Sequence, residues 1–304
     1  MAERLPDAPW TQRDDLRALI AALGKGKARY VGGAVRDTLL GLEVKDVDIA
    51  TPLLPEEVIV RLKAAKIRSV PTGIEHGTVT AVLDSGPVEI TTLRHDVSTD
   101  GRRATGAFAQ DWREDAARRD FTVNAMYYDP VREVVVDYHG GIKDAKKKLL
   151  RMIGDPETRY REDPVRIIRA VRFAAKLGFE IEPKTRAPIQ SMSTLLENVP
   201  PSRLFDEMIK LLQTGHSLAS IAELRKQGLH QGTFPVLDTL LDESRGSAAH
   251  RKFVGLAMAD TDRRVSEGKP VAPSFMLACM FWHDVQSRWN QLKHAGEPAF
   301  PALQ

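Results

Sequence analysis

The spacing of apolar and polar positions changes period along the chain. Between residues 12 and 23, Leu16, Leu19, Ile20 and Leu23 recur at helical spacing, and the glycines at 24 and 26 stop that segment before a strand ending at Val31. Residues 30–41 then predict strand, glycine turn and a short helix beginning near Ala34, and residues 45–50 predict a second strand. Pro55 opens a helix through Lys66, and alternating or β-branched runs at 67–70, 77–83 and 87–93 predict three more strands. Residues 94–111 are polar without a clear period and read as a mobile loop. A last strand is expected at 133–138, followed by a basic helix at 142–151 whose Lys146, Lys147 and Lys148 form a solvated face. From Asp155 the period is helical almost throughout, with helices at 164–177, from Pro201, and at 217–228, 234–243, 247–260 and 272–295. The expected fold class is α+β, a mixed-sheet head followed by an all-helical remainder.

Composition narrows the class. The chain has 304 residues, enough for two domains or more, and 44 basic against 41 acidic residues leave a formal charge of only +3. Affinity for nucleic acid must therefore come from clustering of charge. A single cysteine, Cys279, excludes an internal disulfide framework and suits a reducing, cytoplasmic setting. No signal peptide, membrane-spanning run, repeat or low-complexity tract is expected.

Candidate chemistry centres on the glycine turn and the strand after it. Side chains two apart in a strand leave the same face, so Asp46 and Asp48 point together while Val47 and Ile49 point inward. Paired carboxylates suit Mg²⁺, and two such ions about 4 Å apart can hold the attacking and leaving oxygens of a phosphoryl displacement. Gly32 and Gly33 permit close backbone approach, and the following helix aims N–H groups at a polyphosphate. The alternative is a solvent-facing Asp pair after an ordinary turn. Glu89 is either a third carboxylate near the metals or an exposed strand residue.

Arg118, Arg119, Asp120 and Asn124 suggest cations set against a polyphosphate, or a salt-bridged surface, and Arg102 and Arg103 an RNA-tracking or merely solvated loop. In the helix after Glu162, Asp163 suits the cap, Pro164 the first turn and Gly178 the stop. Arg166, Arg169, Arg172 and Lys176 make a basic stripe facing something acidic, and the charges of the Pro201 helix are placed to buttress it. Asp163 and Arg166, one turn apart, could instead share recognition of cytosine and adenine, whose amino group and ring nitrogen suit a carboxylate and a guanidinium. His283-Asp284 is a weak phosphohydrolase signal without an upstream histidine cluster.

These motifs, in order over residues 28 to 214, resemble the bacterial class II nucleotidyltransferases, which comprise CCA-adding tRNA nucleotidyltransferases and bacterial poly(A) polymerases. They are residues 31–37 with Asp46 and Asp48, residues 118–125, residues 162–166, and Arg203 with Glu207. The resemblance implies a head at 1–150, a helical neck that recognises the nucleotide base at 151–214, and an RNA-binding helical body at 215–304, expected to be truncated. It implies Mg²⁺ on Asp46 and Asp48, with Glu89 a further candidate. It implies triphosphate contacts from Arg36 and Arg119, with Gly32, Gly33, Asp120 and Asn124 in the same pocket. It implies that Glu162, Asp163 and Arg166 read the incoming base, with Arg169 a further substrate-binding candidate.

The implied partners are ATP, CTP and an RNA 3′ end, of tRNA or mRNA, and no membrane. Residues 1 to about 120 look like a CCA-adding enzyme, notably at 71–80 and 100–105; from about 121, residues 154–166, 200–204 and 280–284 look like a bacterial poly(A) polymerase. A hybrid with its junction near 118–124 is the expectation. CCA addition stands first and poly(A) synthesis second, with an inactive RNA-binding homologue as the reading of another class.

Overall fold

A computed structural model describes residues 3–97, 105–229, 234, 237 and 247–296. The chain divides into two compact units, Met1–Glu162 and Asp163–Gln304.

In the first unit the strands are β1 (Arg29–Val31), β2 (Asp48–Thr51), β3 (Arg68–Gly73), β4 (Thr78–Leu83), β5 (Gly86–Thr92), β6 (Arg94–Val97), β7 (Thr105–Phe108), β8 (Met126–Asp129) and β9 (Val134–Asp137). Among the described residues, seven of them form a mixed sheet in the order β3-β4-β5-β2-β1-β8-β9. β2 and β5 run parallel and the other neighbours antiparallel. The helices are α1 (Asp14–Leu23), α2 (Gly33–Leu39), α3 (Pro55–Ala64), α4 (Trp112–Arg118), α5 (Gly141–Lys146) and α6 (Pro156–Glu162).

Alternation sorts the sheet into two faces. Ile49, Val79, Val88, Ile90, Met126 and Val135 belong to one core with Leu16, Leu19 and Leu23 of α1 and Val58 and Leu62 of α3. Val31, Ala50, Leu93 and Tyr127 belong to a second, smaller core with Trp112 and Ala116 of α4. Asp48 and Glu89 lie on the second face.

Two expectations in this unit need correction, and one strand, β8, is not among those expected. Residues 94–97 and 105–108 are not loop but an antiparallel hairpin, β6 with β7; backbone pairing holds it, so the side chains need not alternate. Residues 98–104, with Arg102 and Arg103, lie outside the described residues. β8 lacks alternation because Met126 and Tyr127 are both buried. The basic helix ends at Lys146, which pairs with Glu3 at 2.7 Å, and Lys148 has a φ of 52°, so Lys147 and Lys148 are not on a helix face.

The second unit is helical: α7 (Val165–Leu177), α8 (Pro183–Arg186), α9 (Pro201–Leu212), α10 (Ser217–Lys226), α11 (Ala248–Ser266) and α12 (Pro273–His294). α10 packs on α7 and α11, and α11 on α12. Most of the helix expected at 234–243 lies outside the described residues. α7 buries Ile167, Ile168 and Val171, and Gly178 ends it in the left-handed region at φ 63°. The acidic partner of its basic stripe is internal: buried Glu207 of α9 accepts from Arg172 Nε at 2.9 Å and lies 3.7 Å from Arg169. No helix among the described residues is long and apolar enough to cross a membrane.

Candidate active site

β2 starts at Asp48, so Asp46 stands in the segment leading into the strand rather than within it. The alternation nevertheless continues through it: Asp46 and Asp48 are exposed, whereas Val47 and Ile49 are buried. Glu89 is the register partner of Asp48 across the parallel β2–β5 ladder, exposed between buried Val88 and Ile90. The same row continues from Asp48 to Val31 and from Val31 to Tyr127. Partial desolvation by the surrounding protein, then the charges of Glu89 and Asp46, push the Asp48 carboxyl up to about 6, with Arg119 opposing.

Such mutual repulsion between hard oxygen donors is relieved by a divalent cation. The donor set therefore fits Mg²⁺ at Asp46 and Asp48. Among the described residues no three acidic, histidine or cysteine side chains are already gathered around one ligating point. Glu89 is close enough to perturb Asp48 without completing such a set.

Arg119 follows α4 and is held from two sides. Its Nε donates to Asp115 at 3.1 Å and to the Tyr127 hydroxyl at 3.2 Å, while Nη2 donates to Asp115 at 3.1 Å. Tyr127 in turn donates to Asp115 at 2.7 Å. A Cβ added at Gly32 would lie 3.9 Å from Arg119 Nη1, which places the free end of the guanidinium beside the glycine turn. Asp115 and Tyr127 are the functional residues that sequence reasoning missed. Asp115 looks like an ordinary helix-surface acid, and only its docking under β8 reveals the role.

The glycine turn itself is specified by backbone. Gly32 has φ 72° and ψ −122°, a conformation that side-chain-bearing residues avoid. Its N–H donates to Met126 O at 3.2 Å, so that group closes the turn onto β8 instead of facing a ligand. Since an added Cβ would find its nearest neighbour at 3.7 Å, the penalty of Gly32→Ala is conformational and not steric. Urea unfolding should show a loss of about 1–3 kcal/mol; an unchanged midpoint would mean that the turn relaxes.

Arg36, Asn124 and Asp120 form a connected interior network. Arg36 donates from Nε to Asp37 at 2.7 Å and from Nη1 to Asn124 Oδ1 at 2.5 Å, and Asn124 Nδ2 donates to Asp120 at 3.1 Å. At 3 % exposure Arg36 braces the turn from beneath, and the adjacent Gly33 would place a Cβ 3.7 Å from its Nη2.

The expected base-reading residues divide between the two units. In the first, Glu162 ends α6 and accepts from Arg159 at 2.6 Å. In the second, Pro164 has the helical φ of −60° and ψ of −22° expected of a first helical residue, and the Asp163 carboxylate before it accepts from Val165 N at 3.4 Å, a long form of the expected cap contact. The other oxygen of the Asp163 carboxylate accepts from Arg203 Nη2 at 3.1 Å. Arg166 is half-buried one turn on, and its N–H donates to Asp163 O at 3.0 Å. Arg169 turns toward Glu207 and lies over the Phe173 ring at 5.4 Å. Half-buried His283 stacks on buried His250 at 4.3 Å in the packing of α11 and α12, and His250 Nε2 lies 3.0 Å from Met280 O.

Residues 28–151 match the poly A polymerase head domain, and residues 178–241 match a region described as "Probable RNA and SrmB- binding site of polymerase A". A poly(A) polymerase I of Haemophilus influenzae is 40 % identical over 281 residues, covering 89 % of this chain and 61 % of that protein. A CCA-adding enzyme of Streptococcus pyogenes is 47 % identical over 192 residues, 62 % of this chain and 46 % of that protein. The chain thus spans less than two thirds of the length of these relatives. The crystal structure of Bacillus stearothermophilus CCA-adding enzyme in complex with CTP superposes with a TM-score of 0.71 at 29 % identity, over 90 % of this chain and 69 % of that one.

Proposed function

The chain belongs to the family of bacterial poly(A) polymerases and CCA-adding tRNA nucleotidyltransferases, and from that premise we propose that it adds CMP and AMP from CTP and ATP to the 3′ end of tRNA, with Mg²⁺. The observation that carries this reading is the exposed carboxylate row, Asp46, Asp48 and Glu89, with the Arg119 charge felt at Asp48 beside the glycine turn. Asp46 and Asp48 would hold the metal, which when bound supplies polarisation of phosphoryl oxygens and a lowered pKa for the attacking hydroxyl.

The chain's own residues do the rest. Arg119, its orientation preset by Asp115 and Tyr127, offers a fixed cation to the triphosphate. Arg36, Asn124 and Asp120 keep the turn rigid beneath it. Asp163 accepts from the exocyclic amino group of C or A while Arg166 donates to the ring nitrogen, so that G and U, with the reversed pattern, are refused. Glu162 is a further base-contacting candidate, and Arg169 a substrate-binding one.

CCA addition is supported by the higher identity to the CCA-adding enzyme. A second reading, poly(A) synthesis, is favoured by a different observation: the match to the poly(A) polymerase extends over more of the chain, 281 residues against 192. The deciding experiment supplies tRNA lacking its 3′ end, and an unstructured RNA, with ATP and CTP, and sequences the products. Addition of C-C-A that then stops is expected. Long A tracts would install the second reading, and no extension of either RNA would leave an inactive RNA-binding homologue.

A further inference from the structure

We propose that Arg159 is a positioning residue that locks Glu162 to the segment bearing Arg119, so that nucleotide choice depends on a side chain that touches neither base nor phosphate. The proposal rests on the reading of Glu162 as a base-contacting residue. α6 turns Arg159 inward, 7 % exposed, while Arg161, two residues later, is exposed and pairs with Glu157. The Arg159 guanidinium spans three acceptors. Nη1 donates to Glu162 Oε2 at 2.6 Å, and Nη2 donates to the carbonyl oxygens of Arg118 at 2.5 Å and Arg119 at 3.0 Å.

Those two carbonyls lie where α4 ends, and the last carbonyls of a helix lack intrahelical partners and carry its negative dipole end. A planar, permanently charged fork satisfies them and a carboxylate together, a geometry that an ammonium on a single stem cannot reproduce. The connection then runs without a gap from Glu162 through Arg159 to the backbone of Arg119. The side chain of Arg119 is itself fixed by Asp115 and Tyr127. Without Arg159 the Glu162 carboxylate loses its 2.6 Å bond to the guanidinium, and the carbonyls at the end of α4 lose theirs.

The test is primer extension with ATP and with GTP, read as the ratio of kcat/KM between them, for Arg159→Ala, Arg159→Lys, Glu162→Ala and the Arg159→Ala/Glu162→Ala double variant. The expected result is a fall of about tenfold or more in the ATP:GTP ratio for both Arg159 variants, mostly through KM for ATP, with cooperative urea unfolding retained. The double variant should discriminate no worse than Glu162→Ala alone. Should Arg159→Ala fail to fold, Arg159→Lys carries the same comparison, because it keeps the bulk and the charge but not the fork. A ratio within twofold of the parent in a folded Arg159 variant, beside a reduced ratio in Glu162→Ala, would overturn the positioning role and leave the base-reading role of Glu162 standing. An unchanged ratio in Glu162→Ala would remove the base-reading role and this proposal with it.

Discussion

Asp48→Asn should lower nucleotide incorporation by about 10³-fold or more, since the charge stabilisation it removes amounts to several kcal/mol. The fold should survive. Asp48 sits exposed at the start of β2, with Glu89 directly across the ladder and Asp46 two residues before it, so its charge is opposed by its neighbours in the metal-free protein. An asparagine keeps the shape and relieves that repulsion. The variant should therefore unfold in urea no earlier than the parent in the absence of divalent ions, while any stabilisation of the parent by added Mg²⁺ should be lost. Parallel measurements of incorporation and of urea midpoints with and without Mg²⁺ check both halves. Incorporation within tenfold of the parent would remove Asp48 from the chemistry.

Asp115→Ala should be the most destabilising single change in the head, by about 3–5 kcal/mol, because it leaves the charges of Arg118 and Arg119 without their buried partner. The carboxylate, 1 % exposed, accepts from Arg118 at 2.6 Å, from Arg119 at 3.1 Å, from the Tyr127 hydroxyl at 2.7 Å and from Arg94 N at 3.2 Å. Burial by itself would raise its pKa, but Arg119 and then Arg118 outweigh burial and hold it below the ordinary carboxylate value. A folded-state pKa below the unfolded one gives stability that is present above the unfolded value, about 3.9, and is lost as the pH falls below it. The urea midpoint of the parent should accordingly drop on acidification below about pH 4, and less steeply in Asp115→Ala. Equal acid slopes would mean that the Asp115 cluster contributes nothing to acid sensitivity.

The parts of the site legible in the sequence are those set by neighbours in the chain. The exposure pattern at residues 46–49 follows from a period of two, although β2 as paired starts only at Asp48. The turn at Gly32 follows from the need for a positive φ, and the stop at Gly178 from the same need. Segments buried on both sides, such as β8, and segments held by backbone pairing, such as β6 and β7, gave no periodic signal. Asp163 was legible in part: a carboxylate before proline has the form of a cap and accepts from Val165 N, but its shorter bond, from Arg203 forty residues later, is a tertiary contact.

By itself the sequence determined the two carboxylates, the glycine turn, the sheet-then-helix order and, through its motifs, the family. The tertiary structure alone decided that Glu89 faces Asp48, that Arg36 is buried while Arg119 Nη1 lies near the turn, and that Asp115 and Tyr127 bond to Arg119 and Arg159 to Glu162. The reason is physical. Strand alternation and glycine dihedrals are properties of a few consecutive residues, whereas ladder register and the docking of α4 under β8 arise from burial shared by residues far apart in the chain.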